Sequence, residues 1–243
     1  MAGHSKWSNI KHRKGAQDQK RGQVFTKLIR EITVAARSGG EPDANPRLRA
    51  AIDKGLAMNM SKDTIQKAVN KGSGVGSENS LEEIVYEGYG PGGVAFIVSC
   101  ATDNKKRTVS DIRHYFTKSG GSLGQSGSVS FMFDTFGLVE FESSLNAESV
   151  LELAMDAGCD DLEQEESRFY AKCEPTQLYH VAQFFRDKKV DIHNVTIEKK
   201  PTNLIEGDSE LHELISALYD KFEDHDDVQR VFCNFNFELN GHE

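Results

Sequence analysis

Leu138-Val-Glu-Phe141, Ala147-Glu-Ser-Val-Leu-Glu-Leu-Ala-Met-Asp-Ala157, Asp161-Leu-Glu-Gln-Glu165, Phe169-Tyr-Ala-Lys-Cys173, Thr176 to Asp187, and Asp191-Ile-His-Asn-Val-Thr-Ile-Glu198 decide how this chain divides. The first stretch reads as a strand. The second reads as a helix with Val150, Leu151, Ala154 and Met155 inward. Two short strands follow, then a helix, then a strand. The order βαββαβ is ferredoxin-like and complete in itself.

Working outward, the chain after residue 202 offers one more helix, with Leu211, Leu214, Ile215, Leu218 and Phe222 on one face, and one more strand, Val231 to Phe237. The region before residue 135 lacks a closing helix and strand. It supplies a strand at Glu83–Tyr89, a turn at Gly90-Pro-Gly-Gly93 and a strand from Val94 to Cys100. A helix capped by Asp103 or Asn104 ends at Gly120-Gly121, and a strand follows from Val129 to Phe133. The leftover helix and strand would complete it. The expected class is therefore α+β: an N-terminal three-helix bundle followed by two ferredoxin-like α/β domains, the third inserted into the second. The expected domains are 1–75, 82–134 plus 203–243, and 135–202.

The bundle is read from three apolar stripes. Val24, Phe25, Leu28, Ile29, Ile32 and Ala36 line one face of a helix over Gln17–Arg37, with Lys20, Lys27, Arg30 and Arg37 on the opposite face. Asn45-Pro46 is an N-cap and N1 pair opening a helix that carries Leu48, Ile52 and Leu56. Ser61 caps a third, with Ile65, Ala68 and Val69. Gly72-Ser-Gly-Val-Gly-Ser77 reads as a linker and implies a hinge.

The bundle is preceded by Gly3-His-Ser-Lys-Trp-Ser-Asn-Ile-Lys-His-Arg-Lys-Gly15. Lys6, Lys11, Arg13 and Lys14 lie here with no carboxylate up to Lys14, and Trp7 is the only Trp of the chain. Such a run buries too little apolar surface to fold alone and reads as an extended basic arm. The formal net charge of −9 hides a division: residues 1–71 hold 15 Lys+Arg and 6 Asp+Glu, against totals of 29 and 38. A basic module carried by acidic domains is the footprint of a polyanion binder.

The run Met1-Ala-Gly-His-Ser-Lys-Trp7, then Asn9-Ile-Lys-His-Arg-Lys14, Gln17-Asp18, Lys20-Arg-Gly22 and Phe25 to Arg37 resembles the opening of the YebC/PmpR family. The resemblance continues through Asn45-Pro-Arg-Leu-Arg49, Tyr86-Glu-Gly-Tyr-Gly-Pro-Gly-Gly93, Thr102-Asp-Asn104, Arg107-Thr108 and Gly120-Gly121. It covers most of the chain. The resemblance implies a three-domain protein of a family described as probable bacterial transcriptional regulators, with a mitochondrial relative that activates translation.

Catalytic patterns are absent. There is no G-x-S-x-G, no H-E-x-x-H, and no G-x-G-x-x-G after a strand. Gly120-Gly-Ser-Leu-Gly-Gln-Ser-Gly127 lacks the Lys-Ser/Thr of a phosphate loop and precedes a strand, so it reads as a flexible connecting or contact loop. The acid cluster Asp156, Asp160, Asp161, Glu163, Glu165 and Glu166 lacks an ordered calcium-loop spacing and reads as a solvated surface. His225, in Glu223-Asp-His-Asp-Asp227, reads as an exposed helix end. Cys100, Cys159, Cys173 and Cys233 form no C-x-x-C pair and read as buried thiols. No metal, cofactor or catalytic residue is expected. No stretch approaches the roughly 18 apolar residues of a membrane span, and Met1 onward carries no apolar signal core, so a cytoplasmic protein is expected.

The expected function is a non-enzymatic nucleic-acid-binding regulator. Lys6, Lys11, Arg13, Lys14, Lys20, Arg21, Lys27 and Arg30 are the candidate phosphate contacts. Asn9, His12 and Trp7 are the candidates for base or sugar. Trp7 fits both stacking on an unpaired base and packing onto the bundle. DNA follows the family description; rRNA or tRNA on the ribosome follows the translational relative and the likeness of the arm to ribosomal-protein extensions. A protein partner held by the acidic domains is the further alternative.

Overall fold

The computed structural model describes residues 21–74 and 81–237. Helices α1 (Arg21–Ala36), α2 (Pro46–Ala57) and α3 (Lys62–Gly72) form the bundle. Leu28, Ile32, Ala35, Leu48, Ala51, Ile65, Ala68 and Val69 make its core. Asn45 stitches the first two helices together. Its Oδ1 accepts from Leu48 N at 3.1 Å, and its Nδ2 donates to Ala35 O and Gly39 O at 2.7 and 2.8 Å. One buried side chain thus opens α2 and satisfies carbonyls at the end of α1. Ser61 caps α3 as expected. Leu56, expected inward, is exposed; Ala51 and Gly55 take the inward positions, where small residues let α1 come close.

The second unit starts with β1 (Glu82–Tyr89) and β2 (Ala95–Thr102), an antiparallel pair in register from Glu82↔Thr102 to Tyr89↔Ala95. Helix α4 (Lys105–Lys118) and the short β3 (Ser122–Leu123) follow. Asn104, not Asp103, caps α4, accepting from Arg107 N. After the third unit, α7 (Ser209–Glu223) and β8 (Val228–Cys233) return, and β8 pairs with β2. The sheet order is β3-β1-β2-β8. Helices α4 and α7 bury Ile112, Phe116, Ile215, Leu218 and Phe222 against Phe96, Val98 and Cys100.

The inserted unit is β4 (Phe133–Glu142), α5 (Ala147–Asp156), β5 (Asp161–Glu165), β6 (Arg168–Cys173), α6 (Leu178–Asp187) and β7 (Asp191–Pro201). Its antiparallel sheet has the order β5-β6-β4-β7, the ferredoxin-like arrangement. Val150, Ala154 and Ala157 face the core with Val181 and Phe185. Leu151 and Met155, expected inward, are 49% and 68% exposed. They sit about 100° or more around the helix from the Val150 stripe, a displacement set by the 3.6-residue turn.

Two expectations about connections are corrected. Val129–Phe133 is not a strand: Ser130–Met132 is a 3₁₀ turn, and β4 begins at Phe133 and runs straight into the inserted unit. Gly72 belongs to α3, not to a linker. A Cβ there would lie 2.0 Å from Thr33 O, so the residue marks a close helix approach. The bundle is also fastened to both other units. Arg49 Nη1 donates to Gln183 Oε1 at 2.5 Å, Arg186 Nη2 lies 3.2 Å from Asp53 Oδ2, and Arg47 reaches Glu83. A bundle swinging on a hinge does not fit these contacts.

Candidate nucleic-acid interface

Lys6, Trp7, Asn9, Lys11, His12, Arg13, Lys14 and Lys20 lie outside the described residues, and Arg21 is the first residue of α1. The two expected phosphate contacts further along α1 have other partners. Lys27 Nζ donates to Glu223 O at 2.8 Å and lies 3.2 Å from Glu223 Oε2. It caps the carbonyl end of α7, where the helix dipole favours a cation. Arg30 Nη1 donates to Ala101 O at 2.8 Å, and its Nη2 lies 2.9 Å from Asp227 Oδ1. Lys27 and Arg30 are only 18% and 17% exposed. They are not free phosphate ligands. The basic face of α1 is covered because the second unit packs on it, with Val34, Leu81 and Ala101 forming a small apolar contact. Arg37, further along, donates to Leu81 O at 2.6 Å.

Asp227 is the centre of this junction. Its carboxylate is 2% exposed. Thr108 Oγ1 donates to Oδ2 at 2.7 Å, Thr102 Oγ1 at 3.1 Å and Arg107 Nη2 at 3.0 Å. Burial alone would raise its pKa. Hydrogen bonds from Thr108 and Arg107 and the charges of Arg30 and Arg107 outweigh burial and hold it below the ordinary carboxylate range. Three elements therefore converge on one anion: α1, α4 and the end of β2 supply the donors, and the segment before β8 carries the carboxylate. His225, expected at an exposed helix end, is largely covered beside it, its side chain 10% exposed. Its Nδ1 accepts from Asp227 N at 3.0 Å, and its Nε2 lies 3.2 Å from Asp111 Oδ2. An isolated Asp after a run of acids gives no sequence signal of such burial. The signal lay in the polar, β-branched spacing of Thr102 and Thr108 around an N-cap.

The glycine- and serine-rich loop is ordered by a second buried carboxylate. Glu87 accepts from Gly127 N, Val129 N and Ser130 N, each at 2.8 Å. Burial works to raise its pKa, and the three backbone donors overcome this and lower it. The loop's N–H groups are thus already turned onto an internal anion, and Tyr89 Oη donates to Ser128 O at 3.0 Å. Tyr86 packs against the second unit's core.

Other clusters are structural. Lys172 Nζ lies 3.0 Å from Asp161 Oδ2 and also contacts Glu163, so part of the acid cluster serves a cross-strand clamp. Burial pushes the Cys100 and Cys159 thiols up to about 12, far from a reactive thiolate. Among the described residues no group of three His, Cys, Asp or Glu side chains could hold a metal ion, and no helix is long and apolar enough to cross a membrane.

The description "TACO1/YebC protein N-terminal domain" matches residues 5–75, and "TACO1/YebC second and third domain" matches residues 81–235. The chain belongs to the TACO1/YebC family. A probable transcriptional regulatory protein of Francisella tularensis subsp. tularensis strain FSC 198 is 50% identical over 239 residues, which span 98% of this chain and 96% of that protein. A protein of the same description from subsp. novicida strain U112 matches equally, at 50% over 239 residues. Among solved structures, a conserved hypothetical protein of Aquifex aeolicus superposes with a TM-score of 0.79 at 41% identity, over 90% of this chain and 91% of that one. Within the family-like stretches, Asn45 and Asn104 cap helices, Glu87 orders the loop, and Arg47, Arg49, Arg107 and Thr108 make contacts across distant parts of the chain.

Proposed function

We propose that this protein is a non-enzymatic regulator that binds nucleic acid, with duplex DNA as target, through the segment preceding and opening α1. Lys6, Lys11, Arg13, Lys14, Lys20 and Arg21 contact phosphates; Asn9, His12 and Trp7 contact bases or sugar. One observation carries this reading. The cations up to Lys14 have no carboxylate among them in sequence, whereas Lys27 and Arg30 are neutralised within the fold. Lys27 and Arg30 then hold α1 in place rather than grip the target: Lys27 meets the end of α7, and Arg30 meets Ala101 and Asp227. The printed descriptions of the Francisella relatives as probable transcriptional regulatory proteins support regulation.

The test is titration of labelled duplex DNA and of a ribosomal RNA fragment with the full chain and with a chain lacking residues 2–14. With about six phosphates neutralised, log affinity for the duplex falls with log salt at a slope near −5. The deletion should remove most of that slope. Unchanged affinity after deletion would refute the reading, and retention of RNA binding alone would move the target from DNA to RNA.

A further inference from the structure

Helix α4 carries Lys105, Lys106, Arg107, Arg113 and Lys118 against one carboxylate, Asp111. This stands out in a region where acids outnumber bases more than two to one. Two of these cations have partners: Lys105 pairs with Glu82, Arg107 with Asp103 and Asp227. The inward face is Thr108, Ile112 and Phe116. At about 100° per residue, Lys106, Ser110, Arg113 and Thr117 fall on the opposite side as one stripe, with Lys118 on its flank. All are exposed. Asp111 lies to the side of the stripe, on the flank that it shares with Lys118 and that reaches His225.

Helix α4, on the flank that carries Arg107, Asp111 and Tyr115, is tied to α1 through residues 224–227. Gln23 Nε2 donates to Asp224 O at 3.4 Å, and the ring of the neighbouring His225 lies 6.0 Å from that of Tyr115 on α4. Arg30 of α1 and Arg107 of α4 meet on the same Asp227 carboxylate. Helix α1, from which the arm leads away in sequence, and helix α4 are thereby joined through the segment 224–227.

We infer that the outer face of α4 is a second phosphodiester-binding surface, on which Lys106, Arg113 and Lys118 engage the backbone of the same nucleic acid that the arm grips. The inference rests on the nucleic-acid reading above and extends it into the otherwise acidic second unit. Ser110 and Thr117 supply hydroxyl donors between the cations, as phosphate-positioning faces do. Lys106 and Arg113 are seven residues apart, about 10 Å along the axis, which suits contact with separate phosphates. The face selects no base, so it adds affinity and orientation, not sequence preference.

The experiment uses the full chain with a fluorescein-labelled duplex DNA and a hairpin RNA of matched length. Three proteins are compared with wild type. One is Lys106→Gln/Arg113→Gln/Lys118→Gln. One is the deletion of residues 2–14. One is a charge-matched control on the inserted unit, Lys188→Gln/Lys189→Gln/Lys200→Gln. Thermal melting confirms that each is folded. The α4 variant should bind at least about tenfold more weakly, with its salt slope on the duplex reduced by about 2–3, while the control stays within about twofold. An α4 variant that binds like the control overturns the inference, and the arm reading survives if the deletion still weakens binding. If the deletion changes nothing but the α4 variant loses slope, the arm reading falls and this one stands. The larger loss, on duplex or hairpin, identifies which polyanion the face serves.

Discussion

Helices α1 and α4 carry much the same signature: an apolar stripe, a cluster of Lys and Arg opposite it, and few carboxylates. They end in opposite circumstances. On α1, Lys27 caps the end of α7 and Arg30 is locked to Asp227. On α4, Lys106, Arg113 and Lys118 are exposed, and no ion pair joins them to any described residue. The difference lies in what packs on each polar face. The second unit lies on that of α1 and brings the terminal carbonyls and acids of residues 223–227; solvent lies on that of α4. A cationic stripe in sequence marks where charge is, and the tertiary packing decides which anion receives it.

The strongest way to break the contrast is Asp227→Ala. It leaves Arg30 inside the junction without its carboxylate and should cost about 3–5 kcal/mol, the usual penalty for breaking a buried pair. Denaturant unfolding would show it as a lower midpoint, and a loss below about 1 kcal/mol would mean that α1 is not anchored there. Next comes Gly72→Ala. The added Cβ meets backbone at Thr33 O, so α3 must shift from α1, at about 1–3 kcal/mol. Glu87→Gln sharpens a parallel case in which backbone amides replace cations. It should cost about 1–3 kcal/mol through imperfectly satisfied donors, with faster amide exchange at Gly127, Val129 and Ser130. At the bottom, Arg113→Gln should change stability by about 0.5 kcal/mol or less, as for an exposed side chain with no ion pair to any described residue.

Acid provides a further lever on the same junctions. Asp227 and Glu87 both have folded-state pKa values held below the ordinary carboxylate range. Their contribution is complete above the unfolded carboxylate value near 4 and is lost as pH falls through the lower folded values. Wild type should therefore lose stability below about pH 4. Asp227→Asn and Glu87→Gln should each flatten that limb, and a variant with an unaltered acid limb would contradict the assigned partners.

Much of the architecture was legible in the residues. Asn45-Pro46, Ser61 and Asn104 announced helix starts by side-chain chemistry, and the complete βαββαβ run between residues 138 and 198 forced the last helix and strand back onto the second unit. Failures came where a residue's neighbour lay far along the chain. Leu151 and Met155 look like core on a helix of mixed composition, yet only the fold fixes which stripe turns inward. Val129–Phe133 has strand composition, but Glu87, forty residues earlier, draws its amides out of the ladder. Lys27 and Arg30 look like phosphate ligands until Glu223 and Asp227, about two hundred residues later, arrive beside them. Gly72 reads as a flexible joint because nothing local reveals the carbonyl against it.

Competitive acylation of lysines, read by mass spectrometry on the free protein and on its complex with duplex DNA or a hairpin RNA, tests the contrast between bound and free cations most directly. Lys27 should react slowly in both states, and Lys106, with Lys6, Lys11 and Lys14, should react fast when free and be protected in the complex. Fast reaction of Lys27 in the free protein, followed by its protection on binding while Lys106 stays unchanged, would contradict the account.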